Sequence, residues 1–115
     1  MEKLLKEWTK RLGLTDWVIS LDDNLYELAC PDCAGYTVWT ESNKSAKIQL
    51  IHPDVYGERI VPYNKEKTLV HELLHLKFCL LSDSENDIQN RLVHQLIDDL
   101  AKALVDAKWF GVQCE

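Results

Sequence analysis

At 115 residues the chain has room for one hydrophobic core and little more, so it is read as a single domain over residues 1–115. A hydrophobic share of 46% and a charged share of 28% are those of a globular protein, and a net charge of -6 argues against a nucleic acid or an anionic membrane surface as partner. No apolar stretch approaches the length of a membrane span, and the amphipathic, charged start Met1-Glu2-Lys3-Leu4-Leu5-Lys6-Glu7-Trp8 is unlike a signal peptide, so the expected compartment is the cytoplasm.

Residues 2 to 12 place Leu4, Leu5, Trp8 and Leu12 at helical spacing between charges, with Gly13 as terminator, which predicts a surface helix. Trp17-Val18-Ile19-Ser20-Leu21 is β-branched and aromatic and predicts a short strand, broken by Asp22-Asp23-Asn24. Residues 25 to 34 read as an irregular excursion ending at Cys30-Pro31-Asp32-Cys33. No second CxxC exists to complete a four-thiolate site, so Cys30 and Cys33 are expected to be incidental reduced thiols, and Cys79 a small buried hydrophobe.

Gly35 to Thr40 and Ala46 to His52 are strand-like runs around the turn-rich Glu41-Ser42-Asn43-Lys44-Ser45, which predicts an antiparallel hairpin. The second run alternates Ile48, Leu50 and His52 with Lys47, Gln49 and Ile51, as expected of an edge strand able to pair with an extended peptide. A loop with Pro53, Gly57 and Pro62 follows. Asn64 is then a plausible cap for a helix with Glu66 in its first turn, and from Thr68 to Leu81 the run is apolar on nearly all sides, the pattern of a buried helix. Ser82-Asp83-Ser84-Glu85 reads as a turn with Asp83 or Ser84 as the next cap. A long last helix spans about Asn86 to about Trp109, carried by Ile88, Leu92, Leu96, Leu100 and Leu104. The expected fold class is therefore α+β: an N-terminal helix, a small three-stranded and mostly antiparallel sheet, the buried helix, and a long C-terminal helix.

The buried helix carries Val70-His71-Glu72-Leu73-Leu74-His75-Leu76. Four residues of separation put His71 and His75 on one helical face about 6 Å apart, where both rings can reach one metal ion, and Glu72 flanks that ion as candidate general base. Two imidazoles and a carboxylate on a buried helix cost several kcal/mol to desolvate unless something satisfies them, and a metal does so. A catalytic zinc takes three protein ligands and leaves a position for water. His52, Glu85, His94, Asp98 and Asp99 are the candidates for the third. His94 lies on the next helix of a short-turn hairpin, within reach of a shared ion, and Asp98, one turn further, is placed to accept the second N–H of a ligating imidazole.

His71-Glu72-Leu73-Leu74-His75 followed by His94-x-x-x-Asp98 resembles the gluzincin branch of the zincin metallopeptidases, which carry HExxH and then a Glu-x-x-x-Asp helix. The order of elements from about residue 15 to about residue 105 looks like that of the small catalytic domains called minigluzincins and of small bacterial and phage metallopeptidase-like proteins. The resemblance implies one Zn2+ per chain, His71 and His75 as ligands, Glu72 as base, position 94 as third ligand and Asp98 as the supporting carboxylate. The family has glutamate where this chain has His94. Either the site is a three-histidine one, which is the expectation, or Glu85 or Asp98 completes it, or the metal site is degenerate. A neutral third ligand leaves the zinc one formal charge more positive, drawing the pKa of its water toward about 7.

The function expected is hydrolysis of a peptide or protein substrate by a zinc-activated water with Glu72 as base, the peptide lying along the strand near Ala46 to Ile51. Tyr56 and Tyr63 are candidate donors to the oxyanion. The alternative is a zincin-fold binding or regulatory module that cleaves nothing, with a structural or vestigial metal, in which Cys114 or the carboxylate of Glu115 could reach the cleft as a fourth ligand.

Overall fold

The structure, a computed structural model, describes residues 1–79 and 86–113. The turn expected at Ser82 to Glu85, with its cap at Asp83 or Ser84, falls outside the described residues, as do Glu85 as a ligand and Cys114 and Glu115.

Helix α1 spans Glu2–Arg11 and buries Trp8, with Leu4 and Leu5 packed beside it. Gly13 at φ 70° provides the left-handed turn that ends this segment, and Leu14 enters the core. Three strands follow: β1 Val18–Leu25, β2 Gly35–Thr40 and β3 Ser45–Ile51. β1 does not stop at Asp22. Its pairing register shifts between Asp22 and Leu25, Asn24 adopts φ 56°, and the Lys65 ammonium donates to Asp23 Oδ2 at 2.8 Å and to Asn24 Oδ1 at 2.6 Å. The three polar residues that argued for a break are thus absorbed as an irregularity within the strand.

The sheet is mixed, in the order β1-β3-β2. β2 and β3 form the expected antiparallel hairpin, Thr37 opposite Ile48 and Trp39 opposite Ala46, while β1 runs parallel to β3. β3 is therefore the central strand and not an edge, which corrects the placement of a peptide along Ala46 to Ile51. Alternation reports which face of a strand is buried and not how many neighbours it has. The edges belong to β1 and β2, and β2 is the one that lies against the motif helix.

The thiols of the CxxC are likewise corrected, because Cys30 and Cys33 are joined in a disulfide. The backbone turn between them, with Cys33 N donating to Cys30 O, holds their Cα atoms 5.4 Å apart, within bridging range. Cys79 is buried, as expected, and belongs to no disulfide among the described residues.

A short helix, α2 (Pro53–Tyr56), interrupts the loop after β3 and is capped by His52. Helix α3 (Lys65–Lys77) begins as expected at Asn64, whose side chain accepts from Lys67 N at 3.0 Å. It ends at Lys77, short of the expected Leu81. Leu69, Val70, Leu73, Leu74 and Leu76 are buried, so the helix is enclosed between sheet, α1 and the last helix. That helix, α4 (Asp87–Gln113), is capped by Asn86, which accepts from Ile88 N and Gln89 N, and contributes Val93, Ile97, Ala101 and Val105 to the core.

Glu66 ties the helices together. Its buried carboxylate accepts from Trp8 Nε1 on α1 at 2.7 Å, and from Lys108 Nζ at 2.6 Å and Trp109 Nε1 at 2.7 Å on α4. Burial alone would raise its pKa, but the three donors outweigh it and hold the carboxyl below its ordinary value. This clamp ties α1, α3 and α4 together through one carboxylate. No helix among the described residues is long and apolar enough to cross a membrane.

Candidate metal centre

His71 and His75 stand one turn apart on α3, and His94 projects toward them from α4. One ring nitrogen from each of the three lies within 4.8 Å of the other two. The ring centroids are 5.1 Å apart for His71 and His75, 5.0 Å for His71 and His94, and 5.5 Å for His75 and His94. Of the five candidates for a third ligand, the structure brings His94 to the pair. His52 is spent elsewhere, capping α2 and stacking on Tyr26, and Asp99 accepts from Gln95 on the surface.

Asp98 is not a competitor for the centre but a support for it. Its Oδ1 sits 3.0 Å from His71 Nδ1, which makes Nδ1 the protonated nitrogen and leaves the Nε2 lone pair for a ligand. Burial, opposed by Asp98, lowers the pKa of His71, and burial with the neighbouring His71 and His94 lowers that of His75 to about 4. Both shifts favour the neutral ring, the form that binds metal. Three imidazoles with one tautomer fixed by a carboxylate fit a borderline divalent ion such as zinc.

Glu72 is 6% exposed, and its Oε2 lies 4.0 Å from His71 Nε2. Thr37 on β2 donates to its other oxygen, Oε1, at 2.6 Å. Burial raises the Glu72 pKa to about 7, against the pull of the Thr37 bond. The strand comes this close to the helix because residue 35 is glycine. A Cβ there would stand 2.9 Å from Thr68 Cγ2 and 3.0 Å from Glu72 Cγ. On the far side, the Trp39 ring stacks beside His75 at 6.4 Å.

These groups line one cleft of about 560 Å3, walled by β2, α3, α4 and the loop before α3. Tyr56 and Tyr63 line it too, but neither offers a free hydroxyl: Tyr56 donates to Val61 O at 2.6 Å and Tyr63 to Ile51 O at 2.9 Å. Their proposed role as oxyanion donors would need those bonds broken. Sequence reasoning missed Gly35, Thr37 and Trp39. Within an alternating strand nothing marks them out, because their role depends on which helix the strand faces.

The chain matches no family model, and searches of the curated proteins and of the solved structures find no match either. The site is read from its own geometry.

Proposed function

We propose that this chain is a metal-dependent peptidase of the zincin type, with His71, His75 and His94 as the ligands of one zinc ion and Glu72 as the general base. The observation that carries the reading is the position of Glu72, a buried carboxylate with an elevated pKa, held by Thr37 and facing the nitrogen side of a three-histidine cluster. A purely structural site would have no use for such a base.

A divalent ion held by His71, His75 and His94 would supply Lewis-acid chemistry, making water and the scissile carbonyl more reactive. The chain's own residues do the rest. Thr37 occupies Oε1 of Glu72 and so aims Oε2 into the cleft, where it takes the proton of the attacking water and hands it to the leaving amine. A pKa near 7 suits both halves of that transfer at neutral pH. Asp98 holds His71 in one tautomer through the cycle. Among the described residues β2 pairs with β3 alone, so its outer edge is available to an extended peptide along the cleft.

The test is metal analysis of the purified protein with cleavage of an unstructured polypeptide, with and without chelator. One zinc per chain and chelator-sensitive cleavage, lost in Glu72→Gln with the metal retained, supports a peptidase. Metal retained with no cleavage by the unaltered chain would favour the zincin-fold binding module instead.

A further inference from the structure

The cleft is electrostatically uneven along its length. Its aromatic end holds Trp39 stacked beside His75. Toward the other end, past the His71–Asp98 pair, Lys67 and Lys102 line the wall, and they are the only Lys or Arg side chains lining the cleft among the described residues. Helical spacing places them there: Lys67 is one turn before His71 on α3, and Lys102 one turn after Asp98 on α4.

The neighbouring anions are already committed. Asp98 accepts from His71 and Glu72 from Thr37, while Lys67 pairs with Asp106 at 3.0 Å and keeps protons to spare. Lys102 has no ion pair among the described residues. A chain with a net charge of -6 thus places two lysines, a half-buried Lys67 and an exposed Lys102, along the wall of the cavity that holds its candidate metal ligands.

We propose that Lys67 and Lys102 form a carboxylate subsite, so that the peptide taken into the cleft carries an acidic side chain or a free C-terminal carboxylate. This names a substrate class for the peptidase proposed above and rests on that reading. Antiparallel pairing, the commoner of the two senses, gives the direction. β2 runs from Gly35, packed on Thr68 and Glu72, to Trp39 beside His75. A chain added antiparallel to β2 enters at Trp39 and leaves at Gly35, next to Lys67. The carboxylate then belongs to the C-terminal side of the scissile bond, on the fragment released as the amine.

The test measures binding to the zinc-loaded full chain carrying Glu72→Gln, so that peptide is held and not consumed. The probes are short N-acetylated, dye-labelled peptides of Ala, Ser and Val in three forms: amidated and neutral, with a free C-terminal carboxylate, and amidated with a single Glu at each position in turn. In low salt a carboxylate-bearing form should bind about ten-fold more tightly than the neutral one, as expected of a hydrogen bond between charged groups. The second and third forms separate a terminal carboxylate from an acidic side chain. Lys102→Glu should erase the advantage, with binding of the neutral peptide to the same zinc-loaded variant as the control. The advantage should also survive removal of the zinc, which sets it apart from direct ligation of the ion. Equal binding of all forms, an advantage that vanishes with the metal, or one that Lys102→Glu leaves intact would overturn the proposal. An acid preference in peptides that the unaltered chain never cleaves would keep the subsite and remove the peptidase.

Discussion

Thr37 on β2 donates its hydroxyl to Glu72 on α3 at 2.6 Å, the hydrogen bond by which the sheet holds the candidate base. Thr37→Val keeps the shape and removes the donor. Because the bond lowers the Glu72 pKa against the rise imposed by burial, its loss should move the acid limb of the rate profile to higher pH. Stability should fall by about 1 kcal/mol. The pH dependence of kcat/KM for the two proteins checks this, and coincident acid limbs would deny Thr37 the role.

Gly35 should tolerate no side chain. In Gly35→Ala the added methyl meets Thr68 Cγ2 and Glu72 Cγ at 2.9 and 3.0 Å, so strand and helix must part or Glu72 must turn. Overpacking of this kind costs about 1–3 kcal/mol. Thr68→Ser removes the first contact but not the second. The double variant should therefore regain much of the melting temperature while turnover stays low, and recovery of both together would show that Gly35 matters only for packing.

The metal-free protein should have an unusual pH dependence. His75 resists protonation until about pH 4, whereas the unfolded chain binds that proton near its ordinary value of 6.5, so the fold loses stability as pH falls from 6.5 to 4. Glu72 acts oppositely. It takes a proton near pH 7 when folded and only near 4.5 when unfolded, so the fold gains stability as pH falls through that window. Each effect is on the order of 3 kcal/mol, and they offset one another between about 4.5 and 6.5. Glu72→Gln removes the compensating half. Chemical denaturation of the metal-free variant should show stability falling more steeply with pH below about 6.5 than in the unaltered chain, where Glu72 offsets part of the loss from His75 and His71. Parallel curves would contradict the assignment.

Glu66 should matter for stability and not for chemistry. Glu66→Gln keeps an acceptor for one indole and leaves Lys108 with Glu7, at 3.1 Å, as its remaining anion, which costs about 1–3 kcal/mol. Zinc stoichiometry at low temperature should be unchanged. Loss of the metal without loss of the fold would mean that the clamp tunes the site directly.

What the sequence made legible follows the range of each signal. Asn64, the α3 pattern and the His71, Glu72 and His75 spacing are encoded within a few residues, and so is the one-turn step from His94 to Asp98; all of them are found where that local pattern puts them. Strand order is not local. Whether β3 lies at the edge depends on which side of the β2–β3 hairpin takes up β1, and no pattern within the strands encodes that. The same holds for Gly35, Thr37 and Lys102, whose meaning comes from what they face across the cleft. The expectation of reduced thiols at Cys30 and Cys33 rests on compartment, which says nothing of geometry, while the turn that closes the disulfide is visible only in the backbone.

The central claim is that His94 joins His71 and His75 on one ion beside Glu72, and zinc affinity measured by competition with a chromophoric chelator tests it most directly. One zinc per chain is predicted, with affinity lowered about a hundred-fold or more in His94→Ala and little changed in Glu72→Gln. A chain that binds no zinc, or binds it equally well without His94, would contradict the account.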